Sequence, residues 1–311
     1  MISVRRYEVS FKPQWDAFVD SAKNGQFMFR RDYIDYHADR FADHSLCIFR
    51  DEELLALMPG CARDGEFSSH AGLTFGGFIT GERMRTPVML EVLDAVSAYL
   101  REQNFKSMLY KAIPHIYHRI PAQEDTYALV RVGAKLSRCD VSVAVSRANP
   151  QSYSERRTRG MKKAQKAGVT FARSEDFDTY FAIVAGLLQD KYQSRPTHTS
   201  EEMRLLAGRF PDNIALWVAE KDGEMLAGVI MYVSAQVAHA QYIAASEQGK
   251  ECGALDGLFN HLMTQAYPQQ AYFDFGISTE QAGKHLNTGL IMQKEEFGAR
   301  AVVHEFFSLD L

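Results

Sequence analysis

The stretch 271–298, AYFDFGISTEQAGKHLNTGLIMQKEEFG, decides the fold. It opens as a buried strand, Tyr272 to Phe275, with one carboxylate, Asp274, among aromatic neighbours, and it breaks at Gly276. A polar, glycine-spaced segment follows, then the cluster Lys294-Glu295-Glu296-Phe297-Gly298. Charged groups and a pliant backbone at the end of a strand are where α/β proteins keep their sites. A buried carboxylate is costly unless paired. Asp274 is therefore either a structural group bonded to its surroundings or a functional one, a base or a substrate-orienting group.

The residues before this stretch supply the rest of an α/β unit. Residues 214–234 form a hairpin that turns at Lys221-Asp222-Gly223. A strand follows at 237–246, then a helix at 254–267. The same order occurs earlier in the chain. Two strands meet at Asp51-Glu52, a helix at 87–103 sets Met89, Leu93, Val96 and Leu100 on one face, and strands follow at 106–113 and 136–146. A helix over 30–41 precedes them. A basic helix at 154–167, closed by Gly168, connects the halves. The order of elements repeats but the sequence does not. Two similar α/β domains are expected, 1–150 and 151–311.

Composition narrows the class. A chain of 311 residues with 46% apolar and 12% aromatic content can fill two cores. A net charge of −4 argues against a general nucleic-acid binder. Cys47, Cys61, Cys139 and Cys252 are too scattered for a zinc knuckle or a disulfide framework. Neither a signal peptide nor a transmembrane segment is expected, which points to a reduced, cytoplasmic protein. His115 and His118 lie between Pro114 and Pro121 with no third ligand, so no metal site is expected.

The order hairpin, strand, helix, strand over 214–276 resembles the GNAT acyltransferases. Phe273-Asp274-Phe275-Gly276, Gly289-Leu290 and Gln293 to Gly298 are similar to the FemABX-like branch. That resemblance implies an α/β (α+β) fold of two tandem GNAT-like domains, each a mixed sheet flanked by helices. It implies an N-acyltransferase that moves an acyl or aminoacyl group, by direct attack, onto an amine of a cell-envelope or polysaccharide precursor. The acceptor would be a small molecule or a glycolipid. The donor stays open between acyl-CoA, acyl carrier protein and aminoacyl-tRNA, with no tightly bound cofactor. CoA-using GNAT enzymes carry Q/R-x-x-G-x-G/A at the turn after this strand, where backbone N–H groups hold the pyrophosphate. Gly249, Lys250, Gly253 and Ala254 are the donor-binding candidates here, but Glu251 stands at the middle glycine position and would repel a pyrophosphate. A non-catalytic binding protein that has lost donor binding is the alternative.

Acyl transfer to an amine needs a proton acceptor, donors for the oxyanion and close positioning of both substrates. Cys252 has no histidine at recognisable spacing, so a covalent nucleophile is not indicated. Asp274 is the candidate base. Lys294 either meets the donor or pairs with Glu295 or Glu296 on the surface. Tyr242 lies on the strand that lines the acyl channel in GNAT enzymes, near His239 and Gln241. It either protonates a leaving group or belongs to the core. His198, in a loop fixed by Pro196, is a further catalytic candidate. Arg156, Arg159 and Lys163 fall near one helix face and form either a solvated surface or an anion site. His70, Gly76 and Gly77 are candidates for an acceptor loop, and Asn287 joins the substrate-binding set.

Overall fold

The structure, a computed structural model, describes residues 1–192 and 196–311, without the side chains of 188–192. It has the mixed α/β architecture expected from sequence. The chain divides into two compact units. One comprises Met1–Val141, Thr279–His285 and Val302–Leu311; the other comprises Ser142–Ser278 and Leu286–Ala301.

In the first unit an antiparallel sheet orders Ile2–Arg6, Leu46–Arg50, Glu53–Met58 and Ile79–Thr80. A second set of strands runs Cys61–Arg63, Glu66–Ser68, Ser107–Lys111 and Arg300–Asp310, the last pairing from Phe306 to Asp310. The helix Thr86–Glu102 starts on Pro87, whose fixed φ suits a first turn. It buries Met89, Val92, Leu93, Val96 and Leu100 completely. That is the apolar stripe a helical period predicts.

In the second unit the strand order is Tyr272–Ile277, Val237–Ala245, Glu224–Val233, Ile214–Lys221 and Thr170–Ser174, with residues 142–146 pairing outside Tyr272–Ile277. The hairpin turns on Asp222 (φ +52°) and Gly223 (φ +81°). Two positive φ angles in a two-residue loop match the right-handed twist of the strands. Helices cover both faces. Tyr180, on the helix Phe177–Tyr192, rests on Gly228, where a Cβ would fall 2.6 Å from the ring. Trp217 is the register partner of Val229, the next residue, so it points the other way and meets His261 at 5.3 Å.

Several elements depart from the sequence reading, three of them in ways that bear on the packing. The helix expected over 30–41 is only Arg31–Ile34, followed by a 3-10 turn at Asp35–His37. The buried Arg31 guanidinium there bonds Asp35, Asp43 and Ser45, which draws the chain out of helical register. The helix Glu124–Arg131 was not anticipated, nor was Thr288–Glu295. The second hides behind polar residues and Gly289, and it is started by Asn287, whose side chain accepts from Leu290 N at 3.0 Å.

Candidate active site

The site is built where two strands of the second unit part. Tyr272–Ile277 runs parallel to Val237–Ala245, but their pairing covers only Val237–Tyr272, Ala238–Phe273 and His239–Asp274. Each strand is bulged just beyond that point, one at Gln241 and the other between Asp274 and Ile277. A bulge bends its strand and ends regular pairing, so the two together open the sheet at His239 and Asp274. Gly276 supplies the left-handed φ of +76° that its bulge needs. It also leaves room for the imidazole: a Cβ there would lie 3.3 Å from His239 Cε1.

Asp274 is fully buried, and three donors converge on its carboxylate. Ser142 Oγ and Gly276 N, the latter at 3.1 Å, donate to Oδ1, and His239 Nδ1 donates to Oδ2 at 2.8 Å. An ionised carboxylate accepts only, so this is a matched setting. Donation from Nδ1 leaves Nε2 as the basic nitrogen of a neutral imidazole. Nε2 lies 3.2 Å from the amide of the bulged Gln241. Rotation of that amide presents its NH2 to the ring, and an incoming amine can take its place.

One turn of the pleat further on, Tyr242 OH lies 2.7 Å from His198 Nδ1, within hydrogen-bond distance, and its ring packs on Phe181 at 5.7 Å. Burial raises the phenol above its ordinary pKa, so it holds its proton. The loop carrying His198 is fixed by the helix Ser200–Arg209, which starts in a capping box between Thr199 and Glu202.

Lys294 projects from the helix Thr288–Glu295 into the same region. Its Nζ donates to Gly276 O and Ile277 O at 2.8 Å each and to Ser278 Oγ at 3.0 Å. These oxygens follow directly on the bulge, where the strand departs from its neighbour. Burial lowers the ammonium pKa to about 8, and the Asp274 charge opposes that shift. Lys294 therefore pairs with backbone rather than with Glu295 or Glu296.

The remaining candidates lie elsewhere. Arg156, Arg159 and Lys163 are exposed; Arg156 is 3.9 Å from Glu296 and Arg159 is 3.3 Å from Glu155. The inward cation is Arg157, which sequence reasoning passed over. It bonds Asp256 at 2.5 Å and Glu296 at 2.8 Å and lies over the Phe297 ring. Nothing among the six cations of 154–167 singles it out; the carboxylate of Asp256 on a buried helix was the available signal. Around the expected phosphate turn, residues Glu247–Cys252 form a short helix capped by Ser246. Gly249 lies against Leu226 O, where a Cβ would come within 2.2 Å, and Gly253 (φ +75°) lies against Gly160 O, where one would come within 2.4 Å. Ala254 is buried and Lys250 is tied to Glu247. The first turn of Ala254–His261 thus packs on the helix Glu155–Lys166. In the first unit, Gly76 and Gly77 allow close packing on Ser69 O and the Tyr110 hydroxyl. His70 is buried beside His37, its pKa driven down to about 3 by burial. Asn287 acts as a helix cap.

Residues 151–282 match the family model for the acetyltransferase (GNAT) domain. No curated protein matches the sequence. Among solved structures, FemX covers 99% of this chain and 97% of its own, with 12% identity and a TM-score of 0.71. The C-terminal domain of a putative lysylphosphatidylglycerol synthetase from Agrobacterium fabrum is 13% identical, with a TM-score of 0.60 over 94% of this chain and 91% of that one. A tandem GNAT protein from the clavulanic acid biosynthesis pathway is 9% identical, with a TM-score of 0.50 over 100% and 98%. Residues 151–282 therefore match a GNAT acetyltransferase domain, and the chain as a whole has the fold of FemX. In fold it resembles FemX and the tandem GNAT protein, which points to a FemABX-like pairing of two GNAT-like units.

Proposed function

We propose that the protein is an N-acyltransferase whose second unit carries an acyl or aminoacyl group from a donor to an amine of a cell-envelope or polysaccharide precursor. The observation that carries this reading is the buried Asp274 holding His239 where the strands part. The amine nitrogen attacks the donor carbonyl directly. His239 Nε2 takes the proton that the amine sheds, and Asp274 fixes the tautomer and balances the imidazolium. Backbone N–H groups of the parted strands are the donors for the oxyanion. Tyr242, protonated and backed by His198, returns a proton to the leaving group.

The donor we propose is an aminoacyl-tRNA rather than CoA. The glycines that would cradle a pyrophosphate are instead spent on packing, and Glu251 adds a repelling charge. Saturating CoA or acetyl-CoA is therefore expected to leave the melting temperature unchanged, whereas a bound ligand at about a hundred times its Kd would stabilise by about 2.7 kcal/mol. A clear upward shift with CoA would reverse the donor assignment without touching the His239–Asp274 site.

A further inference from the structure

The helix Glu124–Arg131 in the first unit has two apolar faces. Asp125, Ala128 and Leu129 turn inward, Asp125 accepting from the Tyr110 hydroxyl and the other two entering the core. An amphipathic helix should then show a polar outer face. This one shows Tyr127 and Val130, 53% and 62% exposed. The chain turns at Gly133 (φ +84°), and Val132 and Leu136 flank that turn, 37% and 53% exposed. Four of the eleven exposed large hydrophobic residues among the described ones thus fall within 127–136. Such concentration makes the stretch a candidate interaction surface. The stretch is also basic. Arg131, Lys135 and Arg138 occur between Thr126 and Cys139, and no carboxylate does. Arg138 is held by Asp140 and Phe306, whereas Arg131 and Lys135 are exposed and enter no ion pair among the described residues.

We propose that this face docks on the surface of an anionic phospholipid bilayer. Tyr127, Val130, Val132 and Leu136 enter the headgroup boundary, and Arg131 and Lys135 meet the lipid phosphates. Charge selects the occupant. A symmetric contact between two copies places the same patch against itself and gathers like charges, while an anionic leaflet attracts every cation on the face. Neither signal suffices alone, because stable peripheral binding takes an apolar and a basic contribution together.

The test is co-sedimentation of the full chain with vesicles of phosphatidylcholine alone and of phosphatidylcholine mixed with phosphatidylglycerol. Binding to the mixed vesicles at low salt is expected to exceed binding to the neutral ones by about tenfold or more. Val130→Asp with Leu136→Asp should lower it by about tenfold, and Arg131→Ser with Lys135→Ser should do the same while flattening the salt dependence. Tyr127→Ser, which leaves the buried helix face intact, gives a smaller loss and serves if the double apolar variant unfolds. Equal binding to both vesicle types, binding indifferent to the apolar substitutions, or none at all would overturn the proposal. So would a dimer in solution that Val130→Asp dissociates, since the face would then belong to a second copy.

Discussion

Asp274→Asn is expected to lower kcat by about 10³- to 10⁴-fold with little change in KM, because the substitution inverts a proton donor rather than removing a contact. Asn keeps one acceptor and gains one donor. Ser142 Oγ and Gly276 N both donate to Oδ1, so the amide oxygen settles there. The NH2 then faces His239 Nδ1, which must accept, and the imidazole proton moves to Nε2. The nitrogen that should receive the amine's proton now carries one. The shape of the site is unchanged, so a steady-state assay with a melting curve separates this effect from unfolding. Wild-type turnover by a folded Asp274→Asn would remove the carboxylate from the mechanism.

Lys294→Met is expected to destabilise the protein by about 3 kcal/mol. The substitution leaves Gly276 O, Ile277 O and Ser278 Oγ without their donor, and it recovers only the cost of burying the ammonium. The sign of the pH effect follows from the lowered pKa. The folded group titrates at about 8 and the unfolded one at 10.5, so the unfolded state binds more protons between those values. The wild type therefore gains stability through this group as pH rises across that window, by about 1.4 kcal/mol per unit. The Met variant does not, so its deficit widens with pH. Urea unfolding of both proteins, near neutrality and between pH 8 and 10.5, checks both the size and the slope. A deficit that narrows over that window would contradict the buried, charged lysine.

The sequence made the framework legible because the framework is set by period and turn chemistry. The stripe of Met89, Leu93, Val96 and Leu100 and the Asp222-Gly223 turn are local signals, and both appear in the structure. Asp274 stood out because an isolated carboxylate in an aromatic strand needs partners. Which partners it has was not legible. Ser142 lies 132 residues away and reaches Asp274 only through strand register, and register is a tertiary property. His239 was visible as a polar residue on a strand, but the bulge at Gln241 that sets it at the opening leaves no mark in a single sequence. The glycines at 249 and 253 matched a phosphate-turn spacing, yet glycine also serves wherever two backbones come close. Only Leu226 O and Gly160 O, lying against them, distinguish the two uses.

His239, held by Asp274 at the parted strands, is proposed as the base of an acyl transfer. The decisive measurement is single-turnover transfer of a labelled aminoacyl group from aminoacyl-tRNA to an amine acceptor by His239→Ala, with and without free imidazole. A rate lowered by about 10²- to 10⁴-fold is expected, partly restored by imidazole, which occupies the vacated space beside Asp274. A folded His239→Ala that transfers at the wild-type rate without imidazole would contradict it.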